Sequence, residues 1–237
     1  ERLETAKDPR GHIPTKSLEE LVADRAERLR GYQNAAYATR YTDLVERVKA
    51  AESAAGLHER FSEAVARFAY KVMAYKDEYE VARLWTDGKF DAYLAKKFKG
   101  GKLAYHLAPP IGSKKDENGH LRKKSFGPWM KTGFKIMKRF KWLRGTRVDP
   151  FGWTEERKLE RRIRDNYLEN IDRMLVDLSA KNLDLAVAIA EIPDEIRGYG
   201  HIKEAAISDA AAKEAELWMH WPDGTLPKAK TTLIAAQ

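Results

Sequence analysis

Residues 57–85 read LHERFSEAVARFAYKVMAYKDEYEVARLW. Phe61, Val65, Phe68, Val72, Met73 and Tyr79 recur there at three- and four-residue spacing with no Gly or Pro between them. That period places one apolar stripe on a helix, and the run predicts a single long helix of about 40 Å. A chain with such a stripe needs other helices to cover it, and the flanking sequence supplies them.

Upstream, Ser17 and Glu20 stand at capping-box spacing and open a helix to about Leu29, with Leu18, Leu21, Val22, Arg25 and Leu29 at helical intervals. Tyr37, Tyr41, Leu44, Val45 and Val48 mark a second helix that runs to Gly56. Downstream, Asp87-Gly88 ends the long helix, and a short one holding Phe90, Tyr93, Leu94 and Phe98 leads to Gly100-Gly101. The period then changes to alternation: Leu103, Tyr105 and Leu107 predict a strand stopped by Pro109-Pro110. After the polar turn Lys114 to Gly119, Leu121 to Phe126 predicts its hairpin partner.

Pro128 suits the first turn of a further helix, with Trp129, Met130, Phe134, Met137 and Phe140 as its apolar stripe. Thr154 caps a helix to about Leu178, Ser179 caps another ending near Ile192, and Pro193 starts a turn closed by Gly198 and Gly200. A last helix spans His201 to about His220. The reading is a mainly α protein of seven to eight helices in one bundle-like domain, with one small β-hairpin near residues 102–126. It has a flexible lead-in at 1–16, a single helical domain at 17–220 and a mobile tail at 221–237.

The chain has 237 residues, 43% of them apolar, a net charge of +8 and no cysteine. Without thiolates this polypeptide cannot form a disulfide scaffold, a Cys-ligated zinc module or an iron–sulfur cluster. The longest apolar run, Leu183 to Ile192, is about half the roughly 20 residues that cross a bilayer, and Asp184 and Glu191 interrupt it. The first residue is Glu1 and no signal-peptide pattern follows, so the expectation is a piece of a longer, cytoplasmic protein.

The charge is unevenly placed. Residues 96–147 hold sixteen Lys and Arg against Asp116 and Glu117, a net +14, while the other 185 residues hold 28 basic and 34 acidic side chains, a net −6. A basic insert on a mildly acidic body attracts acidic proteins, phosphates or nucleic acid. Phe134, Phe140 and Trp142 interleave with its cations as base-stacking platforms would, although core packing accounts for Phe134 and Phe140 equally well.

Signatures of common chemistry are missing: there is no GxxxxGK[ST] loop, GxGxxG, GxSxG or HExxH, and the six histidines are scattered. No catalytic residue and no metal site is assigned. Asp77, Glu78 and Glu80, with Lys76 and Arg83, read as a salt-bridged helix face, as do Arg157, Glu160, Arg161, Arg162 and Arg164. Two glycine-containing loops are candidate anion holders as well as tight turns: residues 143–152, with Arg144 and Arg147, and residues 197–203, with Arg197, His201 and Lys203.

Six ordered segments then carry a resemblance: GYQNAAY at 31–37 with Arg40-Tyr41, MAYKDEYEVARL at 73–84, HLAPP at 106–110, FGPWM at 126–130, LRGT at 143–146 with DPFG at 149–152, and IRGYGHIK at 196–203. Together they resemble the C-terminal region of bacterial indolepyruvate ferredoxin oxidoreductases, long fused members of the 2-oxoacid:ferredoxin oxidoreductase family. The resemblance extends over roughly Ser17 to Trp221.

It implies a parent enzyme that decarboxylates an aryl 2-oxoacid on thiamine diphosphate with Mg²⁺, passes electrons through 4Fe-4S clusters to ferredoxin and delivers the acyl group to coenzyme A. This chain holds neither the family's GDG…N pattern nor a cluster-ligating Cys, so those cofactors are implied for other domains and none for this one. The expected role is non-catalytic: assembly with the remaining domains, or docking of ferredoxin or coenzyme A. Lys131, Lys135, Lys138, Arg139, Arg144 and Arg147 form the candidate basic face, because a cationic surface steers an acidic partner at low salt. A purely structural or oligomerisation module is the alternative, and an independent nucleic-acid binder is less favoured.

Overall fold

The structure, a computed structural model, describes residues 17–107, 122, 124–198 and 200–227. The lead-in 1–16, the hairpin turn with Pro109-Pro110 and Leu121, Tyr199 and the tail from 228 lie outside the described residues. The elements are α1 (Leu18–Tyr32), α2 (Ala35–Ala54), α3 (Arg60–Met73), α4 (Glu78–Leu84), α5 (Lys89–Lys97), β1 (Tyr105–Leu107), β2 (Lys124–Phe126), α6 (Met130–Met137), α7 (Glu155–Met174), α8 (Leu183–Glu191) and α9 (His201–His220). Short 3-10 turns occupy Lys138–Leu143 and Ile192–Asp194. The protein is mainly helical with one two-stranded antiparallel hairpin, paired Tyr105 to Phe126, His106 to Ser125 and Leu107 to Lys124.

Local chemistry sets the helix starts. Ser17 and Glu20 form the capping box in both directions. Asn34 caps α2 and Thr154 caps α7 through side-chain acceptors. Ser179 does not cap α8: Asn182 holds the N-cap position, and its side chain accepts instead from the Ser179 backbone and hydroxyl. α7 ends at Met174 rather than near Leu178.

The single long helix expected over residues 57–85 is not formed. It begins only at Arg60, stops at Met73 and resumes at Glu78 as α4. The break is made by Asp77, whose carboxylate accepts the Glu80 N–H at 2.8 Å and so satisfies the start of a new helix in place of continuing the old one. Lys76 is therefore outside the helix, and of the two cations expected on this salt-bridged face it is Arg83 that pairs with Glu80, at 2.6 Å.

α3 is the central helix, touched by α1, α2, α7 and α8. Leu29, Tyr41, Val48, Phe61, Val65, Met73, Ile171, Met174, Leu185 and Ile189 are fully buried in this body. Trp221, which the sequence places in the tail, packs into the same core. Glu52 lies inside it, where its carboxylate accepts Phe61 N–H at 2.8 Å, Ser62 N–H at 2.9 Å and the Ser62 hydroxyl. It thus caps α3 from the end of α2.

A second, smaller cluster holds the basic insert together. Ala82, Tyr105 and Phe134 are buried there, and Phe90, Trp85, Tyr105 and Phe134 stack edge to face at 4.5, 5.2 and 5.4 Å. Of the stripe expected for α6, only Phe134 is buried; Met130 and Met137 are half-buried, while Trp129 and Phe140 face outward. Eight residues and the short hairpin have too little inner surface to cover the rest. No helix among the described residues is long and apolar enough to cross a membrane.

Candidate functional site

Residues 130–147 contain five Lys or Arg up to Lys141, then Arg144 and Arg147, and no carboxylate. Their side chains divide into two groups. Lys131 pairs with Asp91 of α5 at 2.7 Å, and Lys138 donates to the Thr86 carbonyl at 3.4 Å. Lys141 donates to the Gly31 carbonyl at 2.8 Å, and burial together with the neighbouring Arg144 charge lowers its pKa. These cations fasten the insert onto α1, α4 and α5.

Arg144 is the most deeply committed. Its side chain is 6% exposed and its partner Asp77 only 3%. Two guanidinium nitrogens bind the Asp77 carboxylate, one of them at 2.9 Å, and the third reaches the Tyr32 carbonyl at 2.6 Å and Gln33 Oε1 at 2.7 Å. The guanidinium lies 3.6 Å over the Tyr32 ring. Lys141 and Arg144 thus satisfy the carbonyls left over at the C-terminal end of α1, where the helix dipole favours cations. Through Asp77 the same arginine meets the N-terminal end of α4.

Burial opposes the Arg144 charge, but the Asp77 hydrogen bonds and field outweigh it and raise its pKa. Burial, reinforced by the Asp77 charge, pushes the Tyr32 phenol up, and burial with the Asp149 hydrogen bond does the same for Tyr79. Asp149 accepts the Tyr79 hydroxyl at 3.0 Å, Gly145 N–H at 3.0 Å and Phe151 N–H at 3.1 Å, which closes the 145–151 loop. Arg144, expected to hold a partner, is instead a buried clasp, and Asp77, expected on a salt-bridged helix face, forms its salt bridge inside the fold.

The second group points to solvent. Lys135, Arg139 and Arg147 are exposed and make no ion pair among the described residues. Lys135 and Arg139 stand one turn apart, next to Ile136 and Phe140, and Trp142 follows with 61% of its surface exposed. Cations repelling one another beside uncovered aromatics form a surface suited to an acidic partner with some apolar area.

The 197–203 segment lies elsewhere, at a cavity of about 250 Å³ between α3, α7 and the start of α9. Arg197 and Lys203 both line it, together with Lys71 and Lys76, which sequence reasoning missed. Arg197 is held by Asp194 at 2.6 Å, Lys71 by the same carboxylate at 3.5 Å, and Lys203 by Glu160. Burial, aided by the Arg197 and Lys203 charges, outweighs the opposing pull of Asp194 and lowers the Lys71 pKa. Gly198 has φ of +96°, and a Cβ there would meet Ile202 Cγ2 at 2.7 Å. His201 begins α9, and its side chain lies outside the described residues.

The chain has no cysteine, and among the described residues no group of three His, Asp or Glu is placed to hold a metal. One signal for Asp77 was present in the sequence. Asp77 followed by Glu80 has capping-box spacing inside an otherwise continuous apolar pattern.

A family model described as a family of unknown function (DUF6537) matches residues 18–216, and the chain belongs to that family. No curated protein and no solved structure matches it.

Proposed function

We propose that this DUF6537 domain is a non-catalytic, cytoplasmic module of a larger thiamine-diphosphate-dependent 2-oxoacid:ferredoxin oxidoreductase, and that it docks an acidic partner, ferredoxin, on the outer face of α6. Thiamine diphosphate, Mg²⁺, the 4Fe-4S clusters and coenzyme A belong on this reading to the remaining domains. The six ordered sequence segments support the parentage.

The observation that carries the docking role is that Lys135, Arg139 and Arg147 are exposed and without an ion pair among the described residues, in the same stretch of chain as exposed Phe140 and Trp142. Clasp cations, by contrast, are consumed inside the fold. Coenzyme A is the weaker ligand for this face, because Lys131 and Lys138, two of the four lysines and arginines suited to its phosphates, are already engaged.

Exposed charges act over a Debye length, so steering raises the association rate at low ionic strength and fades as salt rises. Stopped-flow mixing of the chain with a ferredoxin at low and high ionic strength tests this. An association rate that falls steeply with salt is expected, and a salt-independent rate, or no association, refutes docking. A structural module packed on an acidic surface of its own enzyme gives loss of assembly with no ferredoxin binding; a nucleic-acid binder gives a salt-dependent gel shift.

A further inference from the structure

We propose that the cavity between α3, α7 and the start of α9 binds a small monocarboxylate with an apolar body. The site is separate from the α6 face and does not depend on the docking role. Four cations, Lys71, Lys76, Arg197 and Lys203, converge on it from three parts of the chain. The carboxylates among them are Glu156 and Glu160 in the wall and Asp194 behind Lys71 and Arg197. Four positive against three negative groups leave one unmatched positive charge, which suits a monoanion and not a phosphate dianion.

The rest of the wall is apolar. Val72, Ile163, Pro193 and Ile196 line the cavity with Tyr75, so an anion with no hydrocarbon would leave that surface wet. Ligand enters from the solvent side, where the Arg197 side chain is 70% exposed; its Nε and Nη2 bond Asp194 at 2.7 and 2.6 Å, and an incoming carboxylate replaces the Asp194 carboxylate as acceptor. Gly198 gives the loop its left-handed turn beside Ile202, which sets Arg197 and Lys203 on the same cavity.

Titration of the isotope-labelled full chain with hexanoate, acetate and inorganic phosphate, followed through the amide resonances of Val72, Ile196 and Lys203, tests the site. Saturable shifts with hexanoate binding at least tenfold tighter than acetate are expected, because its added methylenes are removed from water against the apolar wall. Lys71→Met should weaken hexanoate at least fivefold. Ile196→Ala, which keeps every charge, should erase most of the advantage over acetate, and it decides the matter should Lys71→Met fail to fold. The proposal is overturned by no saturable shift, by acetate matching hexanoate, or by phosphate binding as tightly as hexanoate.

Discussion

Replacing Arg144 with Met removes the charge that matches Asp77 while keeping a flexible side chain over the Tyr32 ring. Asp77 is 3% exposed and keeps, among the described residues, the Glu80 N–H at 2.8 Å and the Tyr32 hydroxyl at 3.5 Å. Breaking a buried pair by removing one partner costs about 3–5 kcal/mol, because the surviving charge stays desolvated. The Tyr32 carbonyl and Gln33 also lose a donor, at roughly 1 kcal/mol each if water does not replace it. A loss of about 4 kcal/mol follows, measured by urea denaturation with far-UV circular dichroism. Asp77→Asn keeps the α4 cap and should cost less. The double variant should be at least ~1 kcal/mol more stable than the sum of the single losses predicts, since the two side chains share one network. An Arg144→Met protein within about 1 kcal/mol of the parent, or strictly additive single losses, would show that the clasp is not holding the insert to the body.

Glu52→Gln should destabilise by about 1.5–3 kcal/mol in the same denaturation assay, because a charged acceptor for two backbone N–H groups at the start of α3 becomes a neutral one. Phe61→Ala, at a fully buried site, should cost about 3–5 kcal/mol. Gly198→Ala should cost about 1–3 kcal/mol, since it forces a left-handed backbone and a clash with Ile202. Burial raises the pKa values of Tyr32, Tyr41 and Tyr167, so the folded chain keeps their protons where the unfolded chain releases them. Stability is then complete below the ordinary tyrosine value of about 10 and is lost as pH rises above it, with phenolate absorbance appearing together with unfolding.

The order of helices was legible because caps and periodicity are local. Ser17 with Glu20, Thr154 and the stretch from His201 to His220 all behave as their neighbours in sequence dictate. The break between Met73 and Glu78 escaped because it uses neither Gly nor Pro, only a side chain that competes for its own backbone. Charge along the chain likewise gave the location of the basic insert but not its division. Arg144 and Lys135 look alike in sequence, yet the partner that buries Arg144 is Asp77, 67 positions away. Phe140 was read as core for the same reason: helical spacing says which residues share a face, and only packing says which face is covered.

The distinction between inward and outward cations is the central claim, and charge reversal on the outward pair tests it most directly. Association kinetics with a ferredoxin at low salt should be compared for the parent chain and the Lys135→Glu, Arg139→Glu double variant, with urea denaturation alongside. The account predicts an association rate lowered about tenfold or more, a dissociation rate little changed and stability within about 0.5 kcal/mol of the parent, as expected for exposed steering charges. An unchanged association rate in a folded double variant would contradict it.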